Sequence, residues 1–243
     1  MLNARERERY ARQMTLLGAD GQELLKNAHV FIAGVGGLGS TVALYLAAAG
    51  IGMITLADYD TVERSNLNRQ ILHWEGDIGR LKVKSAQEKL EKFNPDIDVR
   101  TTDIRIDETN VNTIIGTVNI IVDAMDNFPI RYSLNHIAAV KQIPLVHGAV
   151  KGFSGQVATL FPGKTACLRC IFPLPPPEEP IPVIGVTAGI IGLIEANEVV
   201  RYLTGTVPVQ ETRLLLWDGT RSELETIRVD RDPACAECGN GNE

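Results

Sequence analysis

The run Val30-Phe-Ile-Ala-Gly34-Val-Gly36-Gly37-Leu-Gly39 constrains this chain more than any other segment. An apolar strand-like stretch ends in a glycine turn, and a second apolar stretch follows at once. The pattern Gly34-x-Gly36-x-x-Gly39 between a strand and a helix is a phosphate-binding arrangement. The glycines permit a tight turn and close backbone approach, and the helix start offers unpaired N–H groups to an anion. Asp58, about twenty residues further on, suits a ribose hydroxyl. The competing reading of the same glycines is a turn that only packs a helix on a sheet.

Up to about residue 150 strand-like and helix-like stretches alternate, which points to a mainly parallel sheet. Helices are expected at residues 4–17, 38–49, 82–93, 108–115 and 130–141, with a short turn at 22–27. Strands are expected at 29–33, 53–58, 98–104, 119–123 and 144–149. Beyond Lys151 the texture changes. Residues 154–161, and the pair 213–217 and 223–229 joined around Asp218-Gly219, read as antiparallel strands. Residues 188–203 read as a helix ended by Gly205. The expected fold is α/β: a Rossmann-like, mainly parallel sheet with helices on both faces, continued by antiparallel strands and a zinc clip. One domain, 1–243, is expected, with a nucleotide-binding half to about residue 150 and a substrate-groove half from about 151 to 243. Residues 207–242 show no long linker, and no tandem repeat occurs.

The chain has 243 residues, 44% of them hydrophobic, and a mean hydropathy of +0.01, ample for a globular core. A net charge of −6 argues against a general nucleic-acid or anionic-membrane surface. Lys84, Lys89 and Lys92 recur at helical spacing and read as a wet helix face. No apolar run reaches membrane-spanning length, and the opening Met1-Leu-Asn-Ala-Arg-Glu is no secretory leader. The expected compartment is the cytoplasm.

After Asp58 the chain becomes dense in polar and cationic groups: Asp60, Arg64, Ser65, Asn66, Leu67, Asn68, Arg69 and Gln70, then Lys82. Fork-shaped and amide donors at this density suit a triphosphate better than a nicotinamide ring. A later apolar run ends in Asp123-Ala-Met-Asp126-Asn127. Ligands of open α/β sheets sit at the carboxyl ends of strands, so these groups are expected to converge on the glycine turn. Asp126 is placed to hold Mg²⁺ on the phosphates; its alternative role is to cap the helix that follows. Together these parts suit attack of a carboxylate on the α-phosphate of ATP. Among the remaining residues, His147 is a candidate for lining the cleft. His73 and Trp74 read as packing or ribose-edge groups, and His29 and His136 as structural. Arg131 reads either as a contact for an incoming carboxylate or as an exposed helix residue.

Only four cysteines occur, as Cys167-Leu-Arg-Cys170 and Cys235-Ala-Glu-Cys238. Two Cys-x-x-Cys pairs suit a tetrahedral Zn²⁺ that clips distant segments together. The alternatives are two redox pairs or two disulfides. Both pairs lie in loop-like sequence, away from the strand-to-helix position of a thioredoxin-type pair.

On these residues the chain resembles the ThiF–MoeB–HesA family, adenylyltransferases related to ubiquitin-activating enzymes. The resemblance is carried by Arg9-Tyr10-x-Arg12-Gln13, the Gly34–Gly39 turn, Asp58-x-Asp60, Ser65-Asn66-Leu67-x-Arg69-Gln70, Gly79-x-x-Lys82, Asp126-Asn127 and the cysteine pairs, from about Glu6 to Cys238. It implies ATP contacts from Gly37, Asp58, Asn66, Arg69 and Lys82, with Asn127 beside an essential metal-linked Asp126. It implies a homodimer in which Arg12 reaches the neighbouring subunit's site. Many relatives carry another cysteine in the crossover after the first pair. Here residues 172–189 are proline-rich, shortened and free of cysteine. Chemistry is therefore expected to stop at the acyl-adenylate or to pass to an external sulfur or amine donor. The leading expectation is activation of the C-terminal Gly-Gly of a ubiquitin-like sulfur-carrier protein, with a separate sulfur donor, for thiamine- or molybdopterin-type biosynthesis. The alternatives are a small-molecule or tRNA-base carboxylate and, more remotely, a nucleotide scaffold or an NAD-dependent redox protein.

Overall fold

The structure, a computed structural model, describes residues 1–177, 182–205 and 213–239. The expectations for residues 172–189 and 207–242 fall in part on residues 178–181, 206–212 and 240–243, outside that set.

Five strands open the fold: β1 His29–Ala33, β2 Met53–Ala57, β3 Asp98–Thr102, β4 Ile120–Asp123 and β5 Leu145–Lys151. Each pairs in parallel with its sheet neighbour among the five. Three antiparallel strands extend the same sheet: β6 Ser154–Leu160, β7 Arg213–Asp218 and β8 Glu223–Arg228. The order is β3-β2-β1-β4-β5-β6-β7-β8. Between β1 and β4 the connectivity reverses direction across the sheet, which is where α/β folds open a ligand crevice.

Helices α3 Gly37–Ala49, α4 Lys82–Phe93 and α8 Gly185–Thr204 cover one face, with Leu46, Ile54, Leu90, Ile191 and Val199 in that core. Helices α5 Val111–Ile115, α6 Phe128–Lys141 and α7 Leu168–Ile171 belong to the other, around Phe31, Ile121, Leu134 and Leu168. Along β1 the side chains alternate, Val30 and Ile32 to the first core, Phe31 and Ala33 to the second. Burial on both faces makes the strand a continuous apolar run. Helix α3 is apolar on nearly every side because it lies between the sheet and α8. A Cβ at Gly192 of α8 would stand 2.8 Å from Thr41 Cβ.

The opening helix differs from the expectation. Asn3 and Glu6 form a capping box that starts α1 Ala4–Arg9, and α2 Ala11–Lys26 bends at Gly18 (φ +71°). The expected turn at 22–27 is largely the end of α2. Gln22 is buried there because its amide donates to the Ala49 carbonyl, a tertiary contact that local polarity does not reveal. Lys89 also departs from the wet-face expectation. It is nearly buried, paired with Asp77, and stands 4.7 Å from the centre of the Trp74 ring. Lys84 and Lys92 are exposed as expected.

Candidate functional site

Gly34 leaves β1 with φ +89°, and a Cβ there would stand 2.7 Å from the Ala124 carbonyl oxygen at the end of β4. At Gly39 a Cβ would stand 1.9 Å from the Gly34 carbonyl oxygen. Only glycine allows this approach of backbone to backbone. Gly36 precedes α3 without any side-chain cap. The first-turn N–H groups of α3, with the positive end of its dipole, are therefore turned to the crevice.

The end of β2 supplies the next wall. Asp58 accepts from Val35 N at 2.8 Å through Oδ2 and from Asp60 N at 2.9 Å through Oδ1. Burial raises its carboxyl above the ordinary range, against the opposing pull of Lys82. Each Asp58 oxygen retains a second lone pair. Lys82 opens α4: its N–H donates to the Asp60 carbonyl at 2.9 Å and its ammonium lies 2.8 Å from Asp60 Oδ2. The lysine is nearly buried while Asp60 is half exposed, and the ammonium has two further protons to donate.

The Ser65–Gln70 segment closes over the turn. Asn66 accepts from Glu63 N at 3.1 Å, and Arg69 Nη1 donates to the Ser65 carbonyl at 2.9 Å and to Asn68 Oδ1 at 3.0 Å. Arg69 Cγ stands 3.4 Å from where a Cβ on Gly37 would lie, and the Gln70 amide 3.7 Å from one on Gly36. Leu67 closes the 3₁₀ turn. Helix α8 seals this wall, since a Cβ at Gly185 would stand 2.3 Å from the Asn68 carbonyl oxygen. The helix expected at residues 188–203 was given no place in this wall; the signal for it was the small-residue spacing Gly185, Ala188, Gly192.

At the end of β4, Asp126 is exposed, touched by the Asn127 amide at 3.3 Å. Asn127, rather than Asp126, caps α6 by accepting from Ile130 N at 3.1 Å, so the capping alternative for Asp126 is set aside. An exposed carboxylate with one oxygen left unpartnered among the described residues is chemically suited to a hard divalent cation. The structure thus brings Asp58, Asp60, Lys82, Arg69 and Gln70 to the glycine turn, with Asp126 two residues beyond the Ala124 that touches Gly34, and leaves Arg12 elsewhere. That exposed residue precedes Gln13, whose amide donates to the Ala49 carbonyl at the far end of α3, roughly 18 Å along the helix from the glycine turn.

The four cysteine sulfurs lie within 4.8 Å of one another. Their recorded separations are 3.9 Å (Cys167–Cys170), 3.6 Å (Cys167–Cys235) and 3.4 Å (Cys170–Cys238). A zinc tetrahedron with bonds of about 2.3 Å needs sulfurs about 3.8 Å apart. Backbone N–H groups of Asp232 and Glu237 point at Cys170 and Cys235 at 3.4 Å, as around thiolates. One expectation needs correcting: Cys167 is the N-cap of the short helix α7, because the residues after it close a single helical turn against α6.

Other side chains fall elsewhere. His147 is completely buried and does not line the cleft; it donates to Asp123 at 2.7 Å. Arg131 is neither exposed nor free for a ligand, being buried against His147 and the Gly148 carbonyl. His73 is a packing residue, bonded to Ser85 Oγ at 2.9 Å and to the Val35 carbonyl at 3.1 Å. His29 ties β1 to Thr55 and Thr117, and His136 pairs with Glu237. Among the described residues no helix is long and apolar enough to cross a membrane.

Sheet order, glycine turn and the ring of polar groups around it define a Rossmann-type α/β enzyme. The chain belongs to the ThiF family, whose model matches residues 10–237, and is an adenylyltransferase. It is 39% identical over 248 residues to the SAMP-activating enzyme E1 of Haloferax volcanii, covering 99% of this chain and 92% of that protein. It is 40% identical over 248 residues to the sulfur carrier protein adenylyltransferase of Thermus thermophilus, covering 97% and 92%. The adenylyltransferase and sulfurtransferase MOCS3 of Anopheles gambiae is 39% identical over 98% of this chain, which spans 56% of that longer protein. Among solved structures, E. coli MccB with MccA-N7isoASN superimposes with a TM-score of 0.87 at 25% identity, covering 96% of this chain and 75% of that one.

Proposed function

We propose that this enzyme activates the C-terminal glycine carboxylate of a ubiquitin-like sulfur-carrier protein with ATP, releasing pyrophosphate. The observation that carries this reading is the convergence of the glycine turn, Asp58, Asn66, Arg69, Lys82 and Asp126 on one crevice, in a chain related over most of its length to a sulfur carrier protein adenylyltransferase. In this account 1–243 works as one unit, the crevice built by the first half and sealed by α8, and the carrier tail guided by the antiparallel strands of the second half.

Gly34, Gly36, Gly37 and Gly39 let the triphosphate lie on the start of α3, while Asp58 holds the ribose. Ser65, Asn66, Leu67, Asn68, Arg69 and Gln70 form the wall that orients the phosphates, with Asn127 beside Asp126. The carrier's terminal carboxylate oxygen attacks the α-phosphorus; that P–O bond forms as the bridging α–β P–O bond breaks, and pyrophosphate takes the electron pair. Lys82, Arg69 and Arg12 of a second copy neutralise the departing charge. Asp126 would hold Mg²⁺, which would screen the phosphate oxygens. Arg12 lies remote from the crevice of its own chain, which supports the homodimer.

The four cysteines would hold a structural Zn²⁺, as their spacing fits. No other cysteine exists in the sequence, so sulfur would come from a separate donor to the acyl-adenylate. Nucleic acid has no role in this account, and the enzyme works in the cytoplasm, off the membrane. A small-molecule or tRNA-base carboxylate is the second reading, favoured by the cysteine-free crossover. Intact-mass spectrometry after incubation with ATP·Mg²⁺ separates the two. The proposal expects AMP on a Gly-Gly-ended carrier and none after the Gly-Gly is removed. AMP appearing only on small carboxylates would establish the alternative.

A further inference from the structure

Behind the crevice lies a buried charged cluster that the chemistry above does not use. Asp123, the last residue of β4, is completely buried, as is His147 on β5; Arg131 on α6 is 5% exposed. Asp123 Oδ2 accepts from His147 Nδ1 at 2.7 Å and faces Arg131 Nη1 at 3.8 Å. The Gln156 amide, at 3.3 Å from His147 Nε2, completes the imidazole's surroundings. Burial and Arg131 keep the imidazole neutral, while Arg131 and His147 outweigh the burial of Asp123 and keep it ionised. Glu195 of α8 presses on this group. Both of its oxygens are buried without a hydrogen-bond partner among the described residues, 2.5 and 2.6 Å from where a Cβ on Gly148 would lie.

Buried ion clusters are poor sources of stability, since apolar residues of the same volume often do as well. What this one does hold is a single residue, through the peptide groups on either side of it. Asp123 Oδ1 accepts from Met125 N at 3.1 Å, and Arg131 Nη2 donates to the Met125 carbonyl oxygen. Arg131 Nη1 meanwhile donates to the Gly148 carbonyl at 3.1 Å, fixing the guanidinium to β5. Met125 is thus clamped at both its N–H and its C=O. The next residue is Asp126, and the one after it is locked as the cap of α6. The backbone on either side of Asp126 is held while its carboxylate stays exposed, touched only by the Asn127 amide among the described residues.

We propose that Asp123, Arg131 and His147 are positioning residues that aim the Asp126 carboxylate at the metal and phosphates. This rests on the metal-holding role given to Asp126 above. A lysine at 131 keeps the charge but cannot span the Met125 and Gly148 carbonyls as the fork does. Arg131→Lys should therefore lower kcat for carrier-dependent pyrophosphate exchange by about 10- to 100-fold, the usual cost of losing an outer-shell partner. The half-saturating Mg²⁺ should rise with it, with KM for ATP little changed. In an Asp126→Ala background the same substitution should leave the Mg²⁺ dependence of ATP affinity, measured by equilibrium binding, unchanged, whereas a merely structural role would add its full effect. His147→Asn, which retains a donor toward Asp123, should be milder than His147→Leu.

Amide hydrogen exchange read on the peptide spanning residues 124–127 tests the clamp without any turnover. Arg131→Lys should speed exchange there and leave the strands of the sheet core unchanged. Unaltered exchange in that peptide overturns the proposal whatever the activity shows. Faster exchange together with a wild-type enzyme that adenylates nothing would retain the clamp and defeat the metal-holding role instead.

Discussion

Protonation of His73 gives a prediction whose size follows from the structure. Its imidazole is 3% exposed beneath the glycine turn. Nε2 donates to the Val35 carbonyl at 3.1 Å, and Nδ1 accepts from Ser85 Oγ at 2.9 Å. Ser85 Oγ in turn accepts from Lys89 Nζ at 2.9 Å, so its proton points at the histidine. A second proton on His73 must displace that hydroxyl proton in a buried site beside two lysines. Burial, with Lys89 and Lys82, lowers the pKa from 6.5 to about 4. At about 1.4 kcal/mol per pH unit this is at most about 3.5 kcal/mol. The unfolded chain binds the proton first as pH falls, so stability is intact above pH 6.5 and lost as pH drops from 6.5 to about 4. Urea unfolding at several pH values across that window, for wild type and His73→Gln, isolates the effect. The wild type should lose about 2–3 kcal/mol more than the variant between neutral pH and pH 4. Parallel pH profiles for the two proteins would refute the buried-neutral assignment.

Glu195 should act in the opposite sense. Its pKa is raised well above 4.5, by burial first and then by Asp123, so the folded state retains a proton that the unfolded state releases. Stability should fall as pH rises above about 4.5, and Glu195→Gln should flatten that fall; an unchanged profile in urea titrations would show the acid ionised in the fold. Removing the proposed zinc, by a strong chelator or by Cys170→Ser, should release about one ion per chain and lower the melting temperature. A metal assay finding no zinc in the native protein would contradict the assignment. Arg12→Ala and Lys82→Ala should each be inactive, yet mixed dimers should regain activity through one intact shared site; no recovery on mixing would remove the trans role of Arg12.

Much of the fold was legible because it is written in local periodicity. The β1 and α4 boundaries, His29–Ala33 and Lys82–Phe93, were read without error, since each begins and ends where apolar patterning changes. The residues proposed to face the nucleotide could be grouped from the sequence because the glycine turn fixes where the ends of β2 and β4 must meet it. What stayed hidden depends on contacts between distant segments. Arg131 reads as a surface helix residue until β5 brings His147 beside it. Gln22 reads as a turn until Ala49 supplies its acceptor, and Lys89 as a wet residue until Asp77 pairs with it. None of these partners lies within one helical turn of the residue it buries, so no spacing rule could find them.

The central claim is that the crevice turns the α-phosphorus of ATP toward an organic acid. Isotope exchange between labelled pyrophosphate and ATP measures this step directly, before any sulfur moves. With a Gly-Gly-ended carrier and Mg²⁺, label should enter ATP, and neither the Asp126→Ala enzyme nor a tail-truncated carrier should support it. Label entering ATP at the same rate in the Asp126→Ala enzyme, or in no mixture of wild-type enzyme with any carrier or small acid, would contradict the account.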